Sequence, residues 1–337
     1  MSGFVQLHCH TTWSLLDGAI PAEMLPRLAA AHGYEAVAMT DNNSLLGAVR
    51  FSKACRTAGV KPIFGAELTV ARPPAPPQMG RFEGTPKKGD KGYDHVTLLA
   101  RNQVGYANLC RLITRAHLAN ERGHPSVPFE AIAERFEGLF VLSGCERGEV
   151  ARLAAAGAMP QAIAAARRWH EAIGEGYRIE VFDHRGYGHR TLRNRLLRVA
   201  SDSGVPAVAT NDVHYPTPAE AGTHELLNAV RDIVPLSATQ ASRCNSEYFF
   251  KGPADMRSIF SDVPGVAEET LRIAEGCDFD LDLGSYHFPD FPIPAGETPT
   301  GLLARRCYEG IAHRFGNPSR AVEERLQHEL RLIFKMG

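Results

Sequence analysis

His8 and His10 flank one cysteine at the end of a short apolar run, and their spacing is the strongest local signal in the chain. Side chains at positions i and i+2 of a strand share one face, so both imidazoles point the same way. Each neutral imidazole offers a nitrogen lone pair, and two such rings on one face can bind one metal ion. Because a buried, hydrogen-bonded histidine explains the same pattern, the pair alone is weak support for a metal site.

Other residues of metal-binding types follow further predicted strands. Most fall just past the carboxyl end of a strand, where α/β sheets and barrels place their sites. They are Asp17 in a loop, then Asp41, Asn42, Glu67, Cys145, Asp212 and His214. His95 stands at the start of its predicted strand and fits this rule less well. So many ligand-type residues at one end of a sheet favour metal binding over separate buried polar side chains.

Seven predicted strands alternate with helices and would position these side chains. The apolar runs predict strands at Phe4–Leu7, Ala36–Met39, Pro62–Leu68, His95–Ala100, Leu139–Leu142, Arg178–Val181 and Ala207–Thr210. Amphipathic stretches predict helices at Pro21–His32, Leu45–Ala58, Tyr106–Ala119, Ile163–Ile173, Leu192–Ser203 and Ala321–Met336. The repeated β-then-α order predicts parallel strands covered by helices, as an open sheet or a closed barrel.

Two segments depart from this alternation. Residues 72–94 are rich in Pro, Gly and Lys, which predicts a surface loop that either covers an active-site mouth or is a tolerated insertion. From Thr223 onward the pattern is mainly helical, and Pro289–Pro299 has the composition of a linker.

Composition excludes several classes of protein. The 337 residues include 37 Lys and Arg against 38 Asp and Glu, so no overall basic field indicates nucleic-acid binding, and such a contact would be local or supplied by metal ions. The seven cysteines are scattered and never spaced as CxxC, which argues against a disulfide framework and a structural zinc finger. With no signal peptide and no apolar run of about 18 residues, we expect a cytoplasmic protein without a membrane partner.

Five motifs carry a specific resemblance: LHCHTTWSLLDG, AMTDNNSLLGAVRFSKACRTAGVKPIFGAEL, HVTLLARNQVGYANLCRLITRAH, GLFVLSGC and VATNDVHYPTPAE. Together they resemble the polymerase and histidinol phosphatase (PHP) domain, in the form found at the N-terminus of the bacterial DNA polymerase III α subunit and its error-prone paralogue. The resemblance implies a distorted seven-stranded (βα) barrel of the PHP type with a C-terminal helical extension from about residue 221. It assigns residues 1–284 to a PHP metallophosphoesterase barrel, and residues 285–337 to a linker and the truncated start of a polymerase palm-like region.

The family pattern also implies two to three divalent ions, such as Zn, Mn, Fe or Mg, at the strand carboxyl ends. The implied ligands are His8, His10, Glu67 and Asp212 for the first ion, Glu67, His95 and Cys145 for the second, and Asp17, Asn42 and His214 for the third. The family usually has histidine where this chain has Asn42, and an amide oxygen is a poorer ligand than imidazole for zinc-like ions. We therefore expect the third site to be weaker, or filled by a harder ion such as Mn²⁺ or Mg²⁺.

Such a cluster suits phosphoester hydrolysis. Two divalent ions about 4 Å apart can hold a phosphate and lower the pKa of water toward neutrality, so no protein nucleophile is needed. The GxSxG, GxxxxGK[ST] and HExxH motifs of rival mechanisms are absent from the sequence. Asp17 is a further catalytic candidate. His184 and Arg185 are candidates for holding a substrate phosphate or donating a proton, although surface solvation explains both equally well.

Three functions stay open from the sequence. The first is a 3′–5′ exonuclease of the proofreading type in a C-family DNA polymerase, acting on a nucleic-acid 3′ end. The second is a small-molecule phosphatase of the histidinol-phosphatase type. The third is a structural module that binds other polymerase subunits. The retained ligand residues favour the first two, and the polymerase-like motifs favour the first over the second. We do not expect the polymerase active site within this chain, since the resemblance places its catalytic Asp residues beyond residue 337.

Overall fold

The computed structural model describes residues 3–72, 92–237, 245–285, 289 and 291–336. The chain divides into two compact units, Met1–Leu281 and Asp282–Gly337. Most of the loop predicted at residues 72–94 lies outside the described residues. The functions assigned to residues 1–284 and 285–337 stay predictions.

The first unit is built on a curled six-stranded sheet in which each strand pairs with the next one along the chain. The strands are β1 (Ala36–Met39), β2 (Lys61–Ala71), β3 (Tyr93–Ala100), β4 (Leu139–Leu142), β5 (Tyr177–Val181) and β6 (Ala207–Ala209). Six of the seven predicted strands are therefore present, with ends shifted by up to three residues. The result is a mixed α/β architecture consistent with a barrel of the PHP type.

The prediction of parallel strands is wrong for β3. β1 pairs parallel to β2, β4 to β5 and β5 to β6, whereas β3 is antiparallel to both β2 and β4. Parallel neighbours need a long crossover, usually a helix, while a loop can join antiparallel neighbours directly. The sequence between β2 and β3 has the Pro- and Gly-rich composition of a loop, which agrees with the reversed direction.

The predicted strand Phe4–Leu7 is not a ladder strand. Residues 4–9, which include this segment, make only isolated bridges in the described chain, from Gln6 to Val37 of β1 and from Cys9 to Val213 beyond β6. Two of their amide groups donate to hydroxyls instead of to a neighbouring strand, Val5 N to Thr270 Oγ1 at 3.0 Å and Cys9 N to Thr40 Oγ1 at 2.9 Å. These side-chain acceptors interrupt the ladder, so the segment lies between β1 and the residues after β6 without completing a seventh strand.

Helices cover the sheet of the first unit. They are α1 (Leu25–Ala31), α2 (Ala48–Ala58), α3 (Gln103–Leu118), α4 (Phe129–Ala133), α5 (Glu149–Ala155), α6 (Met159–Ile173), α7 (His189–Ser203), α8 (Ala221–Asp232), α9 (Pro253–Ile259) and α10 (Glu268–Gly276). Local sequence sets several ends. The Asn102 side chain accepts from Gly105 N at the start of α3, and Gly59 ends α2 with a φ of 67°, a conformation that glycine adopts without strain.

Both faces of the sheet are buried. Val37 and Met39 of β1 pack in the main apolar core, whereas Ala36 and Ala38 belong to a smaller cluster with Leu7 and residues of β2, β3, β4, β6 and α10. Successive side chains of a strand point to opposite faces, so the two clusters lie on opposite sides of the sheet. Burial on both faces explains why the strands read as continuous apolar runs.

The second unit contains two helices, α11 (Pro299–Phe315) and α12 (Arg320–Met336). Leu302 and Leu330 are their buried apolar residues. In neither unit does the described part of the chain include a helix with the length and apolar character needed to span a bilayer.

Candidate metal centre

The polar residues predicted as ligands collect at one edge of the sheet. Asn42 follows β1, Cys145 follows β4, and Asp212 and His214 follow β6, all past the carboxyl ends of parallel strands. His95 reaches the same edge because β3 runs in the opposite direction, and its partner in the ladder is Thr69 near the end of β2. The reversed strand therefore explains why His95 did not fit the rule for strand carboxyl ends.

The first group of potential ligands comprises His8, His10 and Asp212, all buried. Asp212 Oδ1 lies 3.5 Å from His8 Nε2 and 3.3 Å from His10 Nε2, and those two nitrogens are 3.2 Å apart. Within the described chain, Asp212 Oδ1 has no hydrogen-bond partner. A buried carboxylate oxygen facing two imidazole nitrogens without a hydrogen bond suits a shared cation.

A buried glutamate orients His8. His8 Nδ1 donates to Glu180 Oε1 at 2.6 Å, and the same oxygen accepts from Thr210 Oγ1 at 2.7 Å. A carboxylate that holds one ring nitrogen of a ligand histidine fixes the orientation of the other nitrogen. Sequence analysis missed Glu180, although an acidic residue inside an otherwise apolar strand was a usable signal.

A serine orients His10 in a similar way. Asp41 accepts from Thr11 N at 2.6 Å and from Ser14 Oγ at 2.7 Å, which fixes the turn after His10. Ser14 Oγ lies 3.0 Å from His10 Nδ1. Asp41 therefore supports His10 through Ser14, and among the described residues it belongs to neither ligand group.

The second group comprises Glu67, His95 and Cys145. His95 Nδ1 lies 2.6 Å from Glu67 Oε1, and Cys145 Sγ donates to the same oxygen at 3.1 Å. The other oxygen, Glu67 Oε2, lies 3.5 Å from His10 Nε2. One carboxylate thus faces both groups, which is the geometry that a bridging ligand requires.

Charge also favours cation binding at Glu67. Burial alone would raise the pKa of Glu67, but the imidazoles of His95, His10 and His8 lower it below its usual range, so the carboxylate is ionised. Burial raises the pKa of the Cys145 thiol well above its ordinary value. This thiol has to lose its proton when it binds a metal ion.

Asp17, Asn42 and His214 occupy the third predicted position, but Asp17 already has two donors. Asn42 Nδ2 donates to Asp17 Oδ2 at 2.8 Å, and Arg231 Nη1 donates to Asp17 Oδ1 at 2.8 Å. His214 Nδ1 is farther from Asp17 Oδ1, at 3.8 Å, while His214 Nε2 lies 3.2 Å from Asp212 Oδ1. The guanidinium group of Arg231 therefore hydrogen-bonds to the Asp17 carboxylate that a third ion would need as a ligand.

Arg231 lies on α8, and sequence analysis missed it. His224, seven residues or about two helical turns before Arg231, also approaches Asp17, with Nε2 3.4 Å from Oδ1. Residues seven apart share one helix face. The spacing of His224 and Arg231 in HELLNAVR was therefore a signal that one face of this helix points toward the cluster.

Arg147 is a further basic residue beside the cluster. Its side chain is exposed. Partial loss of water around its guanidinium opposes the charge, but Cys145, Asp17 and Glu67 raise the pKa of the guanidinium above the ordinary value. An exposed cation in the field of these groups can contact an anionic ligand from outside.

His184 and Arg185 lie apart from the nine predicted ligands. His184 is fully buried, and its Nε2 donates to the Asn211 carbonyl at 2.8 Å, so surface solvation does not describe it. The Arg185 side chain is 58% exposed and lies 3.8 Å from Glu247. Their predicted catalytic roles stay predictions.

We expect metal affinity at this centre to rise with pH. Burial lowers the pKa of His8, but Glu180 and Asp212 outweigh this and raise it to about 10. A metal ion binds the unprotonated ring, so binding releases a proton from His8 at any pH below that pKa. For each proton released, the apparent affinity rises about tenfold with each pH unit. Competition against a chromophoric zinc chelator from pH 6 to pH 9 measures this slope. A flat profile would contradict it.

The fold and the cluster define an α/β protein with buried His, Asp, Glu and Cys side chains gathered at one sheet edge. The family model of the PHP domain matches residues 6–184, which is more than half of the chain. The chain belongs to the PHP domain family.

Curated relatives are similar over nearly the whole chain. The error-prone DNA polymerase of Symbiobacterium thermophilum is 37% identical, over 99% of this chain and 30% of the relative. The DNA polymerase III subunit alpha of Mycobacterium tuberculosis is 34% identical, over 100% of this chain and 30% of the relative. The chain therefore spans about 30% of the length of these relatives, corresponding to their N-terminal part.

An amidohydrolase from Chromobacterium violaceum, with bound sulfate and no metal, aligns with a TM-score of 0.41 and 14% sequence identity, over 62% of this chain and 87% of that structure.

Proposed function

We propose that this chain is a metal-dependent phosphoesterase that hydrolyses phosphodiesters at a nucleic-acid 3′ end, as a 3′–5′ exonuclease of the proofreading type. The observation that carries the proposal is the position of Glu67. One of its oxygens faces His95 and Cys145, and the other faces His10. His8, His10, Glu67 and Asp212 would hold one divalent ion, and Glu67, His95 and Cys145 a second. When bound, such ions supply Lewis-acid polarisation of a phosphoryl oxygen and lower the pKa of water.

The chain's own residues orient the ligands. Glu180 accepts the Nδ1 proton of His8, so that a metal-bound His8 would present the lone pair of Nε2 on the side of Asp212. Ser14, held by Asp41, orients His10. Second contacts of this kind typically change metal affinity or activity 10- to 100-fold when they are lost.

We infer that Arg231 takes the place of the third ion, so that the centre binds two ions with high affinity. Asp17 Oδ1 and Oδ2 each accept a hydrogen bond, from Arg231 and from Asn42. Both donors are N–H groups, and a metal ion would have to displace at least one of them. In this arrangement Asp17 keeps Arg231 beside the centre, where the guanidinium can contribute positive charge.

Arg147 supplies the contact to the substrate phosphate in this proposal. We expect Arg147→Gln to raise KM about tenfold with a smaller change in kcat, since a charge-assisted hydrogen bond contributes roughly 1.5–3 kcal/mol and 1.4 kcal/mol is a tenfold change. Steady-state kinetics on an oligonucleotide measure the split. Arg122→Gln, an exposed arginine outside the cluster, is the matched control. A fall in kcat at unchanged KM would contradict a binding role for Arg147.

The names of the relatives support a nucleic-acid substrate over a small phosphate ester. They are DNA polymerases, and an activity on 3′ ends would complement DNA synthesis. Other polymerase subunits are the partners we propose on the same basis. The histidinol-phosphatase type of activity and a purely structural role are the two alternatives that the assay below separates.

The deciding experiment incubates zinc- or manganese-loaded protein with single-stranded DNA labelled at its 5′ end and, in parallel, with a phosphomonoester. Stepwise shortening from the 3′ end supports the proposal. Phosphate release from the monoester without shortening of the DNA supports the small-molecule phosphatase instead. Inactivity on both substrates, with metal bound, supports the structural role. His10→Ala has to abolish any shortening, because activity that survives the loss of this ligand comes from a contaminant.

A further inference from the structure

Glu146, His184 and His189 form a separate group of potential ligands, and none of them is among the nine ligands predicted for the main centre. Glu146 directly follows Cys145, His184 lies after β5, and His189 is the first residue of α7. Glu146 Oε1 lies 3.5 Å from His184 Nδ1 and 3.4 Å from His189 Nε2. Three ligand atoms from three segments therefore meet at one point.

These two distances match a metal site better than hydrogen bonds. N–H···O bonds have donor–acceptor distances of about 2.7–3.2 Å, and both contacts are longer. In a tetrahedral zinc site with metal–ligand distances of about 2.0–2.1 Å, neighbouring ligand atoms lie roughly 3.3 Å apart. The carboxylate oxygen is thus spaced from both imidazole nitrogens as a shared ion would require.

The tautomer of His184 leaves a lone pair directed into this group. His184 Nε2 is 2.8 Å from the Asn211 carbonyl, which can only accept, so Nε2 carries the proton. In the neutral ring Nδ1 is then an acceptor. The side chain is 1% exposed, and Nδ1 has no hydrogen-bond partner among the described residues. A buried lone pair facing a carboxylate is unfavourable unless a cation lies between them.

The surrounding residues hold the three side chains in place. The Tyr248 ring stacks on His184 with centroids 3.9 Å apart, and its hydroxyl donates to Glu146 Oε1 at 3.0 Å. At Gly186, a Cβ would lie 2.6 Å from His189 Cδ2 and 2.8 Å from His189 Nε2. A glycine at this position therefore allows the imidazole to approach, and Tyr248 keeps the carboxylate and His184 together.

We propose that Glu146, His184 and His189 bind one zinc-class divalent cation at a site distinct from the main centre. Two imidazoles and one carboxylate are a ligand set that binds Zn²⁺ while leaving a fourth position open. The Glu146 side chain is 39% exposed, so the open position is accessible to water or to an anionic group. This site gives His184 a role as a ligand in place of the phosphate-binding or proton-donating role expected from the sequence.

Zinc itself is the probe for the test. The full chain is loaded with Zn²⁺, freed of excess metal, and analysed for zinc per chain alongside Glu146→Gln and His189→Asn. We expect each variant to bind one zinc fewer than the unmodified chain. His124→Asn, which changes an exposed histidine outside both groups, is the matched control and should keep the full number. Anomalous diffraction at the zinc edge should place a peak between the three side chains.

Unchanged zinc content in both variants, or anomalous peaks at the main centre with none beside Glu146, would overturn the proposal. Thermal unfolding followed by circular dichroism identifies a variant that fails to fold. If His189→Asn fails in this way, Glu146→Gln decides, because it preserves shape at a part-exposed position. The result is separable from the proposed function, since Glu67→Gln removes zinc from the main centre and should leave the peak beside Glu146 in place.

Discussion

Glu67→Gln should bind almost no metal at the main centre and should lose phosphoesterase activity by roughly 1,000-fold, the equivalent of about 4 kcal/mol of transition-state stabilisation. Among the residues that the structure describes, Glu67 is the carboxylate whose oxygens face both ligand groups, Oε1 toward His95 and Cys145 and Oε2 toward His10. The substitution keeps the shape but removes the negative charge that both ions would share. Zinc per chain and the rate of DNA shortening are the two measurements.

Glu171→Gln is the matched control for this prediction, because Glu171 is exposed on α6, outside the cluster. It should retain full metal content and full activity. Our account of Glu67 as a bridge is wrong if Glu67→Gln loses only one ion, or if it loses activity while both ions stay bound.

Replacing Asn42 with histidine and Arg231 with glutamine together should create a third metal position. The double variant restores the imidazole usual in the family and removes the guanidinium that donates to Asp17 Oδ1 at 2.8 Å. We expect it to bind one Mn²⁺ more per chain than the unmodified protein. Without metal it should be less stable by about 3–5 kcal/mol, because a buried carboxylate loses its charged partner. Mn²⁺ should restore the lost stability.

The two single variants are informative controls. Asn42→His alone leaves Arg231 in place, so it should gain little Mn²⁺. Arg231→Gln alone should show the destabilisation with only partial recovery in Mn²⁺. Elemental analysis and thermal unfolding with and without Mn²⁺ measure both effects. A double variant that binds no additional Mn²⁺ would refute our interpretation of Arg231.

The sequence predicted the strands well where apolar runs were bounded by turns, and less well where side chains redirect the backbone. The hydroxyl of Thr270 accepts a hydrogen bond from Val5 N in the segment predicted as Phe4–Leu7, and that of Thr40 accepts one from Cys9 N just after it. A pairing with residues so distant in the chain cannot be read from local pattern. The direction of β3 was also missed, since β-then-α order predicts parallel neighbours and periodicity carries no sign of direction.

The ligand residues were accessible from the sequence because metal-binding types cluster at strand ends, and a family resemblance ordered them into groups. The residues missed lie in other kinds of position. Glu180 is inside a strand, and Arg231 approaches from a helix far along the chain. Nothing in the sequence distinguishes Arg147 from an ordinary surface arginine. Glu180 and Arg231 each contact a predicted ligand, His8 and Asp17 respectively, and a single sequence gives no register between such distant segments.

The pairing of Ala71 with Tyr93 closes the β2–β3 hairpin beside His95, at the rim that carries the ligands. The segment that joins these two residues therefore begins and ends at that rim. A change in the length of that connection would leave the β2–β3 register that places Glu67 and His95 unchanged. The relative placement of these two ligands is therefore encoded in the paired strands and not in the segment that connects them.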